Sequence, residues 1–149
     1  IPCLIMQEQC QNHHFSPIVF PVGGHKNFDI LIKSTADLAK LYKAEVHIYS
    51  VALKGEAISD EIKENIALAE KIFTENSISF KRVIDDLRVI SIGFACQTAE
   101  YAKETGAGLI SIMSVKSEEH YYLAQADKET LINNLSAIPV LCHSGLKNI

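Results

Sequence analysis

Apolar residues along this chain follow two alternating rhythms, short unbroken runs and longer stretches that repeat every three or four positions. "PIVFPV" at Pro17 to Val22 is a run of the first kind, ending in Gly23-Gly24, which predicts a buried central strand and a turn. From Asn27 to Lys43, Phe28, Leu31, Ile32, Thr35, Leu38, Ala39 and Tyr42 line one face of a helix. Glu45 to Ala52 ("EVHIYSVA"), rich in β-branched and aromatic residues, predicts a second strand, followed by a loop containing Gly55. The helical repeat returns over Ser59 to Asn76 through Ile62, Ile66, Ala69 and Phe73, with Asp60 and Glu61 placing negative charge at the positive end. Ser77 to Ile84 carries charge on both faces and predicts an edge strand. A third helix is expected over Ile90 to Thr105, through Phe94, Ala95, Thr98, Ala99 and Ala102, with Gly106 as its left-handed cap. Leu109 to Ser114 is apolar on nearly every residue and predicts a strand covered on both faces. Beyond a polar stretch from Lys116 to Gln125, Asp127 to Leu135 predicts a fourth helix, with Asp127 as N-cap and Leu131, Ile132 and Leu135 inward. Ile138 to Cys142 closes the series as a strand.

Strands alternating with helices imply right-handed crossovers and a parallel sheet, hence an α/β domain of the doubly wound type with helices on both faces. The 149 residues are enough for one such domain, and 48% hydrophobic against 21% charged residues allows a substantial core. A net charge of −4 with dispersed lysines and arginines lacks the basic footprint of a nucleic-acid binder. The longest apolar runs are too short to span a bilayer, so no membrane is expected. Cys3, Cys10, Cys96 and Cys142 show no CxxC spacing, which reads as a cytoplasmic protein with reduced thiols.

The order of elements and the stretches "SPIVFPVGGHKNFDILIKSTADLAKLYKAEVHIYSVAL" and "AEYAKETGAGLISIMS…LINNLSAIPVLC" resemble the universal stress protein family over most of Ser16 to Cys142. That resemblance implies a five-stranded parallel sheet in the order 3-2-1-4-5, with dimers formed where two fifth strands meet edge to edge. The family also divides by whether it binds ATP. Nucleotide-binding members carry an acid after the first strand, where this chain has Gly23 in Val22-Gly23-Gly24; the family in general usually has an acid before its fourth strand, where this chain has Gly108. They also carry a glycine motif after the fourth strand, because backbone amides approach phosphate best without a Cβ in the way. Ser114 and Ser117, and then Asp127 and Lys128 by strict spacing or Ala126 and Asp127 counting back from the last strand, stand at the corresponding places, and no glycine is among them. A carboxylate at Asp127 would set like charge against phosphate at that helix start. These residues, with Ala52 at the end of the second strand, make at most a vestigial nucleotide site, and no cofactor is expected. The competing reading is a degenerate adenine-nucleotide sensor in which Lys116, Lys128 and the two serine hydroxyls gather a phosphate weakly.

Residues 1 to 6 read "IPCLIM" and residues 138 to 143 read "IPVLCH". In tandem members the first domain ends in a Pro-Val-Leu type of strand just before the second begins, so residues 1–8 are expected to be the last strand of a preceding domain. Residues 9–16 are then a linker, and 17–149 the universal stress protein-like domain. A chance likeness of two short apolar strands is the alternative. On the tandem reading Pro2, Cys3, Leu4 and Ile5 pair antiparallel with Ile138, Pro139, Val140, Leu141 and Cys142, in the same chain or exchanged with a second copy, giving the order 3-2-1-4-5-0. The ten residues from Gln7 to Ser16 span up to roughly 33 Å extended, against roughly 14 Å across three strand spacings.

No Ser-His-Asp, GxSxG, HExxH or P-loop pattern is present, and "VGGHKN" lacks the serine and aspartate of an ATP pyrophosphatase loop. Cys10, His13, His14, His25, Cys142 and His143 are zinc-ligand types at spacings that match no zinc motif, so no metal is expected. Tyr121 and Tyr122 in the long loop are candidates for a partner contact. The expected function is association without catalysis: a homodimer or an intramolecular tandem partner, with an unidentified protein partner also open.

Overall fold

A computed structural model describes residues 2–11, 14–24, 28–88, 93–113 and 129–143. They form six strands and three full helices: β1 (Pro2–Ile5), β2 (Ile18–Pro21), α1 (Asp29–Tyr42), β3 (Val46–Ala52), α2 (Asp60–Glu75), β4 (Phe80–Asp86), α3 (Gly93–Glu104), β5 (Leu109–Met113) and β6 (Val140–His143). Residues 129–132 are also helical. The strands make one sheet in the order β1-β6-β5-β2-β3-β4. All neighbours are parallel except β1, which runs antiparallel to β6. This is the expected order read from the other edge, with the extra strand in the same chain.

Side-chain alternation divides the core between the two faces. Ile18, Phe20, Val46, Ile48, Leu109 and Leu141 pack beneath α1 and α2, with Leu31, Ile32, Ile66 and Phe73. Val19, Tyr49, Ile110, Ile112 and Val140 face the other way, against Ala95, Tyr101 and Ala102 of α3 and Leu131. Phe20 contacts Phe28 at 5.1 Å and Phe73 at 5.7 Å between ring centroids, so the central strand is pinned by both covering helices. A buried bond of 2.6 Å between Thr35 Oγ1 and Ser111 Oγ ties α1 to the middle of β5.

The element ends follow local chemistry. α2 is capped by Ser59, whose hydroxyl accepts from the Ile62 N–H at 3.4 Å. Gly106, at φ +64, closes α3 in the left-handed region while the Ala107 N–H donates back to Ala102 at 2.8 Å. Two expectations need correction. β4 begins at Phe80 rather than Ser77, because Ser77 takes a left-handed conformation and the Ile78 N–H still donates to Phe73 at the end of α2. Leu135 does not face inward: the helix is over by then, Leu135 lies fully exposed in a turn, and Asn134 occupies the interior position.

The connection from β1 to β2 crosses the start of β5. There Gly108 lies so close to His14 and Phe15 that an added Cβ would sit 2.0 Å from the His14 carbonyl oxygen. The Gly108 N–H donates to the Pro17 carbonyl at 3.0 Å. The glycine found in place of an acid before this strand is thus required by the crossing chain.

Candidate functional site

At the carboxyl ends of β2 and β3 the chain forms an open cleft of about 250 Å³, lined by Val22, Ser50, Val51, Ala52, Leu53, Ile62, Leu87 and Phe94. Ligands of doubly wound sheets bind at this end, outside the strands. Two carbonyls of the turn are already engaged. Ser50 Oγ donates to the Val22 carbonyl at 3.0 Å, and Asn65 Nδ2 to the Gly23 carbonyl at 2.7 Å. The Leu87 N–H donates to the Ala52 carbonyl at 2.8 Å. A Cβ on Gly24 would meet nothing nearer than Glu61 Cβ at 3.9 Å, so space alone does not demand a glycine there. What the cleft offers is apolar contact, and its volume lies below the ~300–1,000 Å³ typical of small-molecule sites.

Val22, Gly23, Gly24 and Ala52 therefore come together at one end of the sheet. Ser114, Ser117, Asp127 and Lys128 lie outside the described residues, as do Lys116, Tyr121, Tyr122, His13 and His25. Among the described residues no three His, Cys, Asp or Glu side chains come together to hold a metal ion. Nor is any helix among them long and apolar enough to cross a membrane.

A second cluster, on the α3 face, was not evident in the sequence. Buried His47 lies 2.7 Å from Glu45 Oε1 through Nε2 and 3.0 Å from the Tyr101 hydroxyl through Nδ1. Burial holds the imidazole below its ordinary pKa, against the opposing pull of Glu45. It is therefore neutral, with its proton on Nε2 facing the carboxylate and Nδ1 accepting from tyrosine. Burial likewise raises the Tyr101 hydroxyl and, with Asp85, that of Tyr49, keeping both protonated. The rings of Tyr49 and Tyr101 stack at 4.4 Å. Next to them Tyr49 donates to Asp85 at 3.3 Å, and Gln97 donates to Asp85 at 3.4 Å and to the Asp86 carbonyl at 2.8 Å. The order carboxylate, imidazole, hydroxyl is that of a proton relay, but it ends on a buried, protonated phenol rather than an accessible nucleophile. Its effect is to fix β3 against α3. The sequence signal was present in "EVHIY", where Glu45, His47 and Tyr49 share one face of a strand.

The third feature is the β1/β6 edge. The register pairs Pro2 with His143, Cys3 with Cys142, Leu4 with Leu141 and Ile5 with Val140. Ile138 and Pro139, expected in this pairing, precede the ladder. Asn134 holds Ile138 instead, accepting from its N–H at 2.9 Å and donating to its carbonyl at 3.0 Å. Pro139 contributes only its carbonyl, to the Ile110 N–H. Beside the pair, Pro2, Ser34, Asp37, Leu38, Leu41 and Leu141 line a shallow groove of about 260 Å³ on the α1 face. Leu4, Met6 and Leu41 are exposed at 41%, 53% and 71%.

No protein-family model matches the chain, and no curated protein sequence does. Solved structures do match. A universal stress protein family member from Burkholderia pseudomallei superimposes with a TM-score of 0.62 at 17% identity, covering 87% of this chain and 96% of the other. A universal stress protein from Archaeoglobus fulgidus in complex with dAMP gives 0.64 at 19% identity, covering 86% and 97%. A further universal stress protein, from Archaeoglobus fulgidus DSM 4304, gives 0.65 at 17% identity and covers 95% of this chain but 49% of its own. This chain thus spans about half of that longer one. The fold is that of the universal stress proteins.

Proposed function

We propose that this chain is a non-catalytic universal stress protein-like module that works by association, and that β1 stands in for the last strand of a second copy of the fold. The observation that carries this reading is the register. Aligning "IPCLIM" with "IPVLCH" makes Leu4 equivalent to Leu141, Cys3 to Val140 and Ile5 to Cys142. In the ladder Leu4 pairs with its own equivalent, while Cys3–Cys142 and Ile5–Val140 exchange under a local two-fold through the leucines. Such self-complementary pairing defines an isologous interface, in which residue i meets j and j meets i. A chance apolar segment has no reason to select that register. The match to half of a longer universal stress protein supports a tandem arrangement, with residues 1–8 as the tail of a preceding domain, 9–16 as linker and 17–149 as the module.

Deleting residues 1–8 tests it. With β1 gone, the β6 edge is open, and two copies are expected to pair antiparallel about Leu141, doubling the mass found by sedimentation or light scattering. A truncated chain that stays monomeric while retaining its circular dichroism refutes the reading.

Nucleotide binding is the second reading, favoured by the apolar cleft beside Val22 and Ala52 and by the dAMP bound to a neighbour of the same fold. Against a tight site stand Gly23 in place of an acid and the lack of any glycine from 114 to 128. The two readings separate by thermal shift with ATP, ADP and cyclic AMP. A raised midpoint at modest ligand concentration supports the sensor, since a ligand that binds the native state must stabilise it. A role in the stress response rests on the family likeness.

A further inference from the structure

Cys3 and Cys142 stand directly opposite each other in the β1/β6 ladder, and both are free thiols, Cys3 exposed and Cys142 half-buried. Residues opposed in an antiparallel pair project to the same face, and Cys142 packs with Val140 and Ile138 on the α3 side. Neither Cys10, in the turn after β1, nor Cys96, within α3, faces another cysteine across a ladder.

The register also decides what kind of pair this is. Pro2 has no N–H, so Pro2 and His143 cannot exchange two backbone bonds. Alternation along the ladder then makes Cys3–Cys142 the bonded pair, with Cα atoms about 5.5 Å apart. That separation lies within the ~4.4–6.8 Å that disulfides bridge. The Cβ atoms of a bonded pair stand near the upper end of ~4.5–5.5 Å, beyond the ~3.5–4.5 Å of a relaxed bridge. A bond here must draw the strands together, which marks it as readily reducible rather than permanent.

We propose that Cys3 and Cys142 form a reversible cross-strand disulfide, a redox latch that fastens the amino-terminal strand to the last strand of the sheet. The oxidant is a low-molecular-weight disulfide. The exposed Cys3 thiolate attacks one of its sulfurs and expels a thiolate. Cys142 then attacks the Cys3 sulfur of the mixed disulfide and expels the second. Two protein thiols are oxidised, one small disulfide is reduced to two thiols, and the protons pass to the departing thiolates. The latch requires only the β1/β6 ladder, and so stands apart from both the association and the nucleotide readings.

The test uses the full chain in buffers of oxidised and reduced glutathione, followed by blocking with N-ethylmaleimide, proteolysis and mass spectrometry. The expected product is a Cys3–Cys142 linked peptide lacking two hydrogens, with Cys10 and Cys96 alkylated. Cys3→Ser, at an exposed position, is expected to abolish it without changing the circular dichroism. Oxidation should raise the melting midpoint by several degrees, and dithiothreitol should reverse the rise without unfolding. Glutathione that remains on Cys3 as a mixed disulfide overturns the proposal, as does a bond involving Cys10 or Cys96 in a folded chain. A bond that opens only on unfolding overturns its reversibility.

Discussion

Replacing Gly108 with alanine is expected to destabilise the chain by far more than a methyl group ordinarily does. The added Cβ would lie 2.0 Å from the His14 carbonyl oxygen, 2.6 Å from its carbon and 2.7 Å from Phe15 Cα, all of them backbone atoms. Ordinary contact begins at 3.4 Å, so the crossing segment must retreat by about 1.4 Å. Forcing extra volume into a packed site costs about 1–3 kcal/mol. The retreat also breaks the bond from the Gly108 N–H to Pro17, worth about 1 kcal/mol. Alanine returns about 0.4–1 kcal/mol by restricting the unfolded chain. The net expectation is a loss of about 1–3.5 kcal/mol, centred on about 2, read as a lowered midpoint in urea unfolding followed by circular dichroism. Gly55→Ala provides the comparison: Gly55 has φ +80 and nothing within 4 Å of an added Cβ, so only backbone strain of about 1 kcal/mol applies. A Gly108→Ala chain within about 0.5 kcal/mol of the parent, or no less stable than Gly55→Ala, would show that the crossing is not where the structure puts it.

Thr35→Val leaves the buried Ser111 hydroxyl without its partner and should cost about 1–3 kcal/mol, much of it regained in Thr35→Val/Ser111→Ala; equal losses in the single and double variants would contradict the pairing. Asn134→Ala removes bonds to the Leu131 carbonyl and to both backbone groups of Ile138, and should cost about 2–4 kcal/mol by urea denaturation. For His47 the folded pKa is depressed below 6.5, so the unfolded chain takes up the proton first as pH falls. Stability therefore rises with pH from the folded pKa up to 6.5 and flattens above it. Burial sets that direction, the charge of Lys81 adds to it and Glu45 opposes it. His143 shifts in the same direction, so the specific expectation is a shallower pH dependence of the urea midpoint in His47→Gln, and an unchanged slope would refute it.

Strand order was legible because each strand carries a local mark of how far it is covered. "LISIM" is apolar but for Ser111 and sits in the middle of the sheet as β5, while "FKRVIDD" is charged on both faces and lies at the edge as β4. Boundaries were less legible where a side chain from elsewhere takes over the backbone. Asn134 claims Ile138 and delays β6, and Phe73 claims Ile78 and delays β4. The strand period of "EVHIY" announces Glu45 beside His47, but Tyr101 joins His47 from 54 positions away on a helix, so no local period announces that contact. The same holds for Gly108, whose reason lies in a segment almost a hundred residues earlier. At the cleft, the turn after β2 was readable from its glycines, but the engagement of its carbonyls by Ser50 and Asn65 depends on β3 and α2.

The two edges of the sheet are built to opposite ends, and this bears on which one meets a partner. β4 exposes Lys81, Arg82 and Asp86, with Arg82 paired to Glu70 of α2, and two strands cannot pair there without stripping water from those charges. Charged edges of this kind block pairing between sheets. β1 carries no charge at all: Pro2, Cys3, Leu4 and Ile5 present apolar or neutral side chains, with Met6 and Leu41 exposed nearby. Among the described residues, its outer backbone groups have no strand beside them. On the association reading, a short apolar strand left open at one edge, on a sheet whose other edge is guarded by charge, places the partner at β1. On the tandem reading, the fourth strand of the preceding domain would pair parallel to β1, as β5 pairs with β6, and complete around β1 the surroundings that β6 already has. The local two-fold through Leu4 and Leu141 would then relate two whole sheets, and the apolar groove between Pro2 and Leu41 would be closed by the packing of that preceding domain.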